Sequence, residues 1–305
     1  MLSQFASKTA VITGAASGLG REIAKLGSSA GMNLILVDFN SNSLDDAAHE
    51  ISGAKSNSTQ QIRTFTADVS DIKKIRALGE MSQKDFGAPH FVFNNAGIAR
   101  SGLCWEHTPE EWKSFLDINV MGVVNGIHVF TPMMLAAARA DPDYRGRIIN
   151  TASMAGLVSM PISAMYNVSK HSVVTLTETL YHDLSLLTNQ VSASVLCPYF
   201  VPTNIDKKAS SPLPVTKLSP SQAVGEKFVA RSIAAAKITA PEAAQMVFDA
   251  LSKDQFYIYT EPKTLAVFKL RASDILAGQN PTSPTKPEVL ELLSQTLIKA
   301  YEDKH

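Results

Sequence analysis

The sequence predicts an α/β fold: a doubly wound parallel sheet of about seven strands with helices on both faces, followed by a C-terminal lid and tail. Three observations carry this reading. Short β-branched runs alternate with amphipathic helical stretches, the first run ends directly in a glycine cluster, and the alternation crosses the chain midpoint without a linker. Parallel strands joined by helices require right-handed crossovers, which selects a twisted open sheet. No internal repeat of roughly 20–50 residues is present, which excludes a solenoid.

Residues 8–13 (KTAVIT) form the first strand and run into Gly14-Ala15-Ala16-Ser17-Gly18-Leu19-Gly20. A helix over 21–30 turns Ile23, Leu26 and Gly27 inward and stops at Gly31. Residues 33–37 (NLILV) are a second buried strand ending at Asp38. A helix follows over 43–51, then a polar loop over 52–61, then a third strand over 62–67 ahead of Asp68-Val69. A helix over 72–86 leads to the strand at 90–94 (HFVFN). Pro109 opens a helix through Leu116, and a longer helix runs over 120–138. Residues 141–146 read as a surface insertion before the strand at 147–151. A helix over 166–187 and a strand over 192–196 complete the alternation at Cys197-Pro198.

Beyond Thr203 the texture changes. Residues 205–221 are rich in Ser, Pro and Lys and read as a mobile, half-apolar loop. Helices at 226–236 and 241–251 precede one more strand, 255–260 (QFYIYT). Helices at 263–277 and 288–301 close the chain, the last with an apolar face of Val289, Leu292, Leu293 and Leu297. The expected organisation is a single domain over 1–305: a core at about 5–203, a substrate lid at about 204–252, and a last strand with C-terminal extension at about 253–305.

Composition narrows the function classes. Lys+Arg and Asp+Glu each number 28, so the net charge is zero, which excludes a basic-stripe nucleic-acid binder or a polybasic membrane clamp. With 45% hydrophobic and 18% charged residues the chain can offset its ordering entropy. Cys104 and Cys197 form no CxxC pair, and the seven histidines show no HExxH spacing, so no metal is expected. The N-terminus lacks a secretory pattern and no uninterrupted apolar run reaches about 18 residues. A cytoplasmic protein without membrane or nucleic-acid partners is expected.

Two constellations carry chemistry. A helix N-terminus exposes N–H groups and a partial positive charge, and Gly14, Gly18 and Gly20 let a pyrophosphate approach them. Asp38 follows at the end of the next strand, where its carboxylate can accept both ribose hydroxyls of an adenosine and repel a 2′-phosphate. Neither Ser17 nor Phe39 offers a compensating cation, so NAD is favoured over NADP. Tyr166 and Lys170 stand four apart on one helix face, where an ammonium lowers the phenol pKa toward a usable base. Ser153 lies just past a strand end, placed to hold a substrate oxygen beside that phenol. Its context, TASMAG, is not the GxSxG elbow of a hydrolase.

In this order the motifs resemble the short-chain dehydrogenase/reductase family, in its shorter single-domain branch with a Rossmann-type sheet, over about residues 5–203. TGAASGLG (residues 13–20) is similar to that family's TGxxxGxG turn, implying cofactor contacts at Gly14, Ser17, Gly18, Leu19 and Gly20. The resemblance further implies that Asp68 and Val69 border the adenine and that Asn95, Ala96 and Gly97 of NNAG line the cofactor. Asn119, Ser153, Tyr166 and Lys170 match the catalytic tetrad. By resemblance Tyr166 is the acid/base and Ser153 positions the substrate oxygen. Lys170 would lower the Tyr166 pKa and bind the nicotinamide ribose, and Asn119 would hold a relay water. PYFVPT (residues 198–203) resembles the PGxVxT run, where Val201 and Thr203 would fix the carboxamide.

Three features depart from the pattern: Tyr199 replaces a glycine, the Asn119–Ser153 spacing is long, and the Gly-rich ending is missing, which argues against the family's usual tetramer. The implied activity is NAD-dependent interconversion of a secondary alcohol and a ketone on a bulky hydrophobic or aromatic substrate. The extended tail loosely resembles that of bacterial family members acting on bulky aryl alcohols. Alternatives are a catalytically silent NAD sensor, or a dehydratase or epimerase on the same scaffold. A homodimer or homotetramer is expected through the helices at 120–138 and 166–187. Met154, Leu157, Met160 and Met165 lie between Ser153 and Tyr166, so some should line the pocket. Arg100 is expected in a surface role rather than opposite an acidic substrate, and His171 in a packing or interface role.

Overall fold

Strands buried on both faces need apolar residues at consecutive positions, and the first two strands supply them. In β1 (Thr9–Thr13), Ala10 and Ile12 face one apolar cluster while Val11 faces a second. In β2 (Asn33–Asp38), Leu34 and Leu36 join the first, Ile35 and Val37 the second. The computed structural model describes residues 2–203 and 218–302. With β3 (Ile62–Thr66), β4 (Phe91–Asn94), β5 (Gly146–Thr151), β6 (Val191–Cys197) and β7 (Tyr257–Tyr259), the seven strands form one sheet of order β3-β2-β1-β4-β5-β6-β7. Every neighbouring pair is parallel.

Helices cover both faces. α1 (Gly18–Ser29), α2 (Ser41–Ser52) and α8 (Ala240–Ser252) contribute Ile23, Leu44 and Phe248 to the first cluster. α3 (Ile72–Asp85), α4 (Pro109–Leu116), α5 (Gly122–Ala140) and α6 (Ala164–Ser185) contribute Leu78, Phe115, Phe130 and Leu180 to the second. The chain leaves β3 and re-enters the sheet on the other side of β1. The strand order therefore reverses between β1 and β4, opening a crevice at their carboxyl ends.

Three expectations change. First, the helices read separately at 109–116 and 120–138 form one helical run, Pro109–Ala140, carried through residues 117–121 by a π-helical turn. This 32-residue run contains an 18-residue window of mean hydropathy 1.5, long and apolar enough to cross a membrane by length and composition alone. Its residues Val123, Phe130 and Met134 pack inside the fold, which gives that apolar stretch a role in the core. Second, α7 (Pro220–Ala234) begins well before the predicted 226, because Ser219 and Gln222 form a capping box around Pro220 at the first turn. The rest of the predicted loop, 204–217, lies outside the described residues. Third, the tail is helical as read, with α9 (Leu265–Ala277) and α10 (Pro287–Glu302), but of the expected apolar face only Leu293 is fully buried.

Candidate active site

The crevice between β1 and β4 opens into a cavity of about 580 Å³ that reaches from the glycine turn to α7 and α10. Gly14 has φ +68°, a left-handed conformation that bends the chain from β1 toward α1. Ser17 is the extended N-cap of α1 and makes no side-chain capping bond, so its hydroxyl leaves the first-turn N–H groups uncapped. Gly14, Ser17, Gly18 and Leu19 line the cavity. Gly20 does not; it lies beneath the turn, where a Cβ would run into the carbonyl of Gly14 and the amide of Asn95.

Asp38 closes β2 at the cavity wall. Its Oδ2 accepts from Ala16 N at 3.2 Å and its Oδ1 from Asn40 N at 3.1 Å. Burial raises the carboxyl pKa, with the N–H groups of Asn40, Ala16 and Phe39 pulling it back. Arg21 also lines the cavity, but its guanidinium is paired with Glu50. Asp68 and Val69 line the same end, and Asp68 Oδ1 is held by the N–H and hydroxyl of Ser70 at 2.9 and 2.8 Å.

Thr13, absent from the expected contact residues, joins the two central strands. Its hydroxyl donates to Phe93 O at 3.2 Å and accepts from Asn95 N and Ala96 N at 2.9 and 3.0 Å. Asn95 in turn donates to Thr13 O at 3.1 Å and accepts from the Thr151 hydroxyl at 3.2 Å. The NNAG run is thereby fixed along the crevice, with Asn95, Ala96 and Gly97 all lining it. Thr13 was legible as the first residue of the glycine motif.

Ser153, Tyr166 and Lys170 meet at the other end of the cavity. Ser153 follows β5; its hydroxyl donates to Pro198 O at 3.4 Å and accepts from Ala155 N at 3.1 Å. Tyr166 and Lys170 stand in the first two turns of α6. Lys170 is almost wholly buried, and its ammonium donates to Thr151 O at 2.9 Å and sits 5.6 Å from the centre of the Tyr166 ring. Burial pushes the ammonium pKa down to about 8. The expected lowering of the Tyr166 pKa is not what the structure gives. Burial raises it, and a hydrogen bond with Ser153 only partly opposes that rise.

Asn119 is brought to the tetrad but does not line the cavity. Its Oδ1 accepts from Ile98 N at 2.8 Å, and its Nδ2 donates to Ile98 O at 2.9 Å and Ser169 Oγ at 3.2 Å. The side chain thus splints the segment following NNAG at Ile98. Val201 and Thr203 line the cavity as expected.

The walls are largely apolar. Met154, Met160 and Tyr199 line the cavity, whereas Leu157 and Met165 are buried elsewhere in the core. Phe228, Val229 and Ile233 of α7 and Leu293 of α10 add to the wall. Phe228, Val229 and Ile233 stood within the predicted lid, but nothing local marked them as cavity residues. Arg100 is not a surface residue: it lines the cavity and pairs with Glu111 at 3.0 Å, so its charge is already met. His171 is held by Asn167 O at 2.8 Å, outside the cavity wall. Cys197 is fully buried and its thiol is pushed up to about 12, while Cys104 is exposed and outside the wall.

Known proteins resemble this chain along most of its length. The short chain dehydrogenase family profile matches residues 8–213. A CLA biosynthesis dehydrogenase/reductase from Lactiplantibacillus plantarum is 30% identical over 290 residues, covering 92% of this chain and 97% of that protein. A cyclohexanol dehydrogenase from an Acinetobacter species is 33% identical over 195 residues, covering 63% of this chain and 74% of that one. Among solved structures, a short chain dehydrogenase/reductase from Burkholderia phymatum in complex with NAD superposes with a TM-score of 0.83 at 38% identity. That match covers 92% of this chain and 99% of the other. The glycine turn, the switch-point crevice and the sequence likeness agree, and the chain belongs to the short-chain dehydrogenase/reductase family of oxidoreductases.

Proposed function

We propose that this protein is an NAD-dependent oxidoreductase that interconverts a secondary alcohol and a ketone, with a bulky hydrophobic or aromatic substrate. The observation that carries the reading is the meeting of Asp38 at one end of a single cavity with Ser153, Tyr166 and Lys170 at the other, under apolar walls. A dinucleotide fits these residues: uncapped N–H groups at the start of α1 suit a pyrophosphate, and the fixed Asp38 carboxylate suits a ribose diol. The NAD complex of the Burkholderia phymatum protein supports that choice, and the cyclohexanol dehydrogenase supports a secondary alcohol. Bound NAD supplies a nicotinamide ring that takes up or gives a hydride.

The chain's own residues do the rest. The Tyr166 hydroxyl exchanges a proton with the substrate oxygen, and as a neutral phenol it is already charged with the proton a ketone needs. Ser153 holds that oxygen with its hydroxyl and steadies its developing charge. Lys170, whose ammonium stands 5.6 Å from the centre of the Tyr166 ring, places its charge beside the phenol and would bind the nicotinamide ribose. Asn119 acts by bracing Ile98 through both ends of its amide. Val201 and Thr203 would hold the carboxamide. We take 1–305 as a single NAD(P)-binding domain with a lid and an extension, working as a homo-oligomer in the cytoplasm, where its two free cysteines are suited to a reducing milieu.

The test is an NAD and NADP titration followed by an absorbance screen for NADH with diverse secondary alcohols. Turnover of apolar alcohols that falls by about 10²–10⁴ in Tyr166→Phe, with NAD affinity retained, is the expected result. NAD binding with no turnover of any alcohol or ketone would move the protein to a sensing role. Turnover without release of NADH would point to dehydration or epimerisation.

A further inference from the structure

Among the described residues, the C-terminal extension reaches the cavity through one residue. Leu293 of α10 is 6% exposed and lines the cavity together with Phe228, Val229 and Ile233 of α7. Leu293, Leu297 and Tyr301 recur every four residues and so form one ridge of the helix. The other side of α10 is left in solvent, with Leu292 and Ile298 each 57% exposed. α10 is therefore docked along a single ridge.

One carboxylate fastens that ridge. Glu106, in the single 3-10 turn Cys104–Glu106, accepts through Oε1 from the Tyr301 hydroxyl and through Oε2 from the Ser221 hydroxyl. Ser219 Oγ donates to the same Oε2 at 2.7 Å. Ser221 also accepts from Leu103 N at 2.9 Å, so the turn, the start of α7 and the end of α10 share one joint. Glu106 takes no part in the site described above and does not line the cavity.

We infer that α10 is the outer wall of the substrate chamber, with the bulk of Leu293 setting the largest substrate admitted and Glu106 and Tyr301 positioning that wall. The inference rests on the alcohol–ketone reading of the cavity. A leucine in an apolar wall excludes by volume: a methylene gained or lost in such a pocket shifts discrimination by about 10–200-fold. The ligand class that feels Leu293 is a secondary alcohol or ketone bearing a fused or extended aromatic group, which suits the apolar wall of Phe228, Val229, Ile233 and Leu293.

The experiment compares wild type, Leu293→Ala and Leu293→Trp on isopropanol, a phenyl-substituted ethanol and a naphthyl-substituted ethanol, with NAD affinity as the control for folding. The naphthyl-to-isopropanol ratio of kcat/KM should rise about tenfold or more in Leu293→Ala and fall at least as far in Leu293→Trp. Leu293→Ile, with the same volume, should restore the wild-type order. Tyr301→Phe and Glu106→Gln should raise KM for the naphthyl substrate several-fold more than they lower kcat, a split that general loss of stability would not produce. A ratio unchanged within twofold in both Leu293→Ala and Leu293→Trp, with NAD bound normally, overturns the inference. If wild type turns over none of the alcohols, the oxidoreductase reading fails separately. Calorimetric binding of a naphthyl methyl ketone in the presence of NADH then decides the wall. The same order of affinities across the three proteins supports it, and equal affinities, or no binding to any of them, overturn it.

Discussion

Asp38→Asn is the substitution whose consequence is most fully determined by the site. Each Asp38 oxygen already accepts one backbone N–H, from Ala16 and from Asn40, which leaves a lone pair on each for a ribose hydroxyl. Hydrogen bonds to a charged group contribute about 1.5–3 kcal/mol each, and an amide of the same shape retains one neutral acceptor worth about 1 kcal/mol. NAD affinity should therefore fall by about 2–5 kcal/mol, roughly 30- to 5000-fold. NADP moves the other way. A 2′-phosphate placed within about 4 Å of the carboxylate meets a repulsion of up to ~4 kcal/mol per unit charge at an effective dielectric near 20, and the amide removes it. Calorimetric titration of both nucleotides, at one fixed ionic strength, reads both effects together. The NAD-over-NADP preference of the wild type should collapse by about a hundredfold or more. Wild-type protein that binds NADP as tightly as NAD would refute the reasoning. It would mean that Arg21 leaves Glu50 to meet the extra phosphate.

Three further outcomes are expected. Lys170 titrates near 8 in the folded protein against an ordinary 10.5, so below pH 8 its buried charge lowers stability, and that loss is relieved as pH rises from about 8 to 10.5. Lys170→Met should thus unfold a few degrees above wild type at pH 7, and the gap should narrow by pH 10 in thermal melts; a gap that widens contradicts the assignment. Asn150 links Asn94 and Thr177 inside the sheet, accepting from Asn94 Nδ2 at 2.8 Å and donating to Thr177 Oγ1 at 3.0 Å. Asn150→Ala should cost about 3 kcal/mol and lower Tm by roughly 6–10 °C while leaving NAD affinity within a few-fold. Val168, Tyr181, Leu186 and Leu187 stand exposed along α6 and at its end, so light scattering at working concentration should return at least twice the 32.9 kDa chain mass. A monomeric mass would remove the dimer.

The sheet was legible because its evidence is local: apolar runs, each closed by a turn residue, repeat in an order that only a parallel α/β sheet accommodates. Asp38, Ser153, Tyr166 and Lys170 were legible for a related reason, since a helix period or a strand end fixes where such side chains point. What escaped is tertiary. Nothing adjacent to Leu293 distinguishes it from Leu292, yet one is buried in the cavity wall and the other is in solvent. Arg100 reads as a surface cation until Glu111 folds back to pair with it. The side chain of Asn119 is claimed by Ile98, a contact across the fold that no spacing encodes. The pKa of Tyr166 depends on how completely the phenol is desolvated, and burial there outweighs the pull that neighbouring charge was expected to exert. The early start of α7 was in principle readable from Ser219, Pro220 and Gln222, but it sits in a Ser- and Pro-rich stretch that looks like a loop.

The π-helical turn at residues 117–121 has a consequence for registry. It behaves as a dislocation: one surplus residue carried inside an otherwise regular rod that runs from Pro109 to Ala140. A π turn closes its hydrogen bonds over five residues where an α turn uses four, so excising one residue there would return the turn to α and leave the helices on either side in phase. Phe115 would keep its place in the second apolar cluster, but the widened turn that brings Asn119 to Ile98 would close. The segment that follows NNAG would lose its splint while Ser153, Tyr166 and Lys170 kept their places. A deletion at this point would therefore act on the site through one side chain and leave the packing of the rod intact.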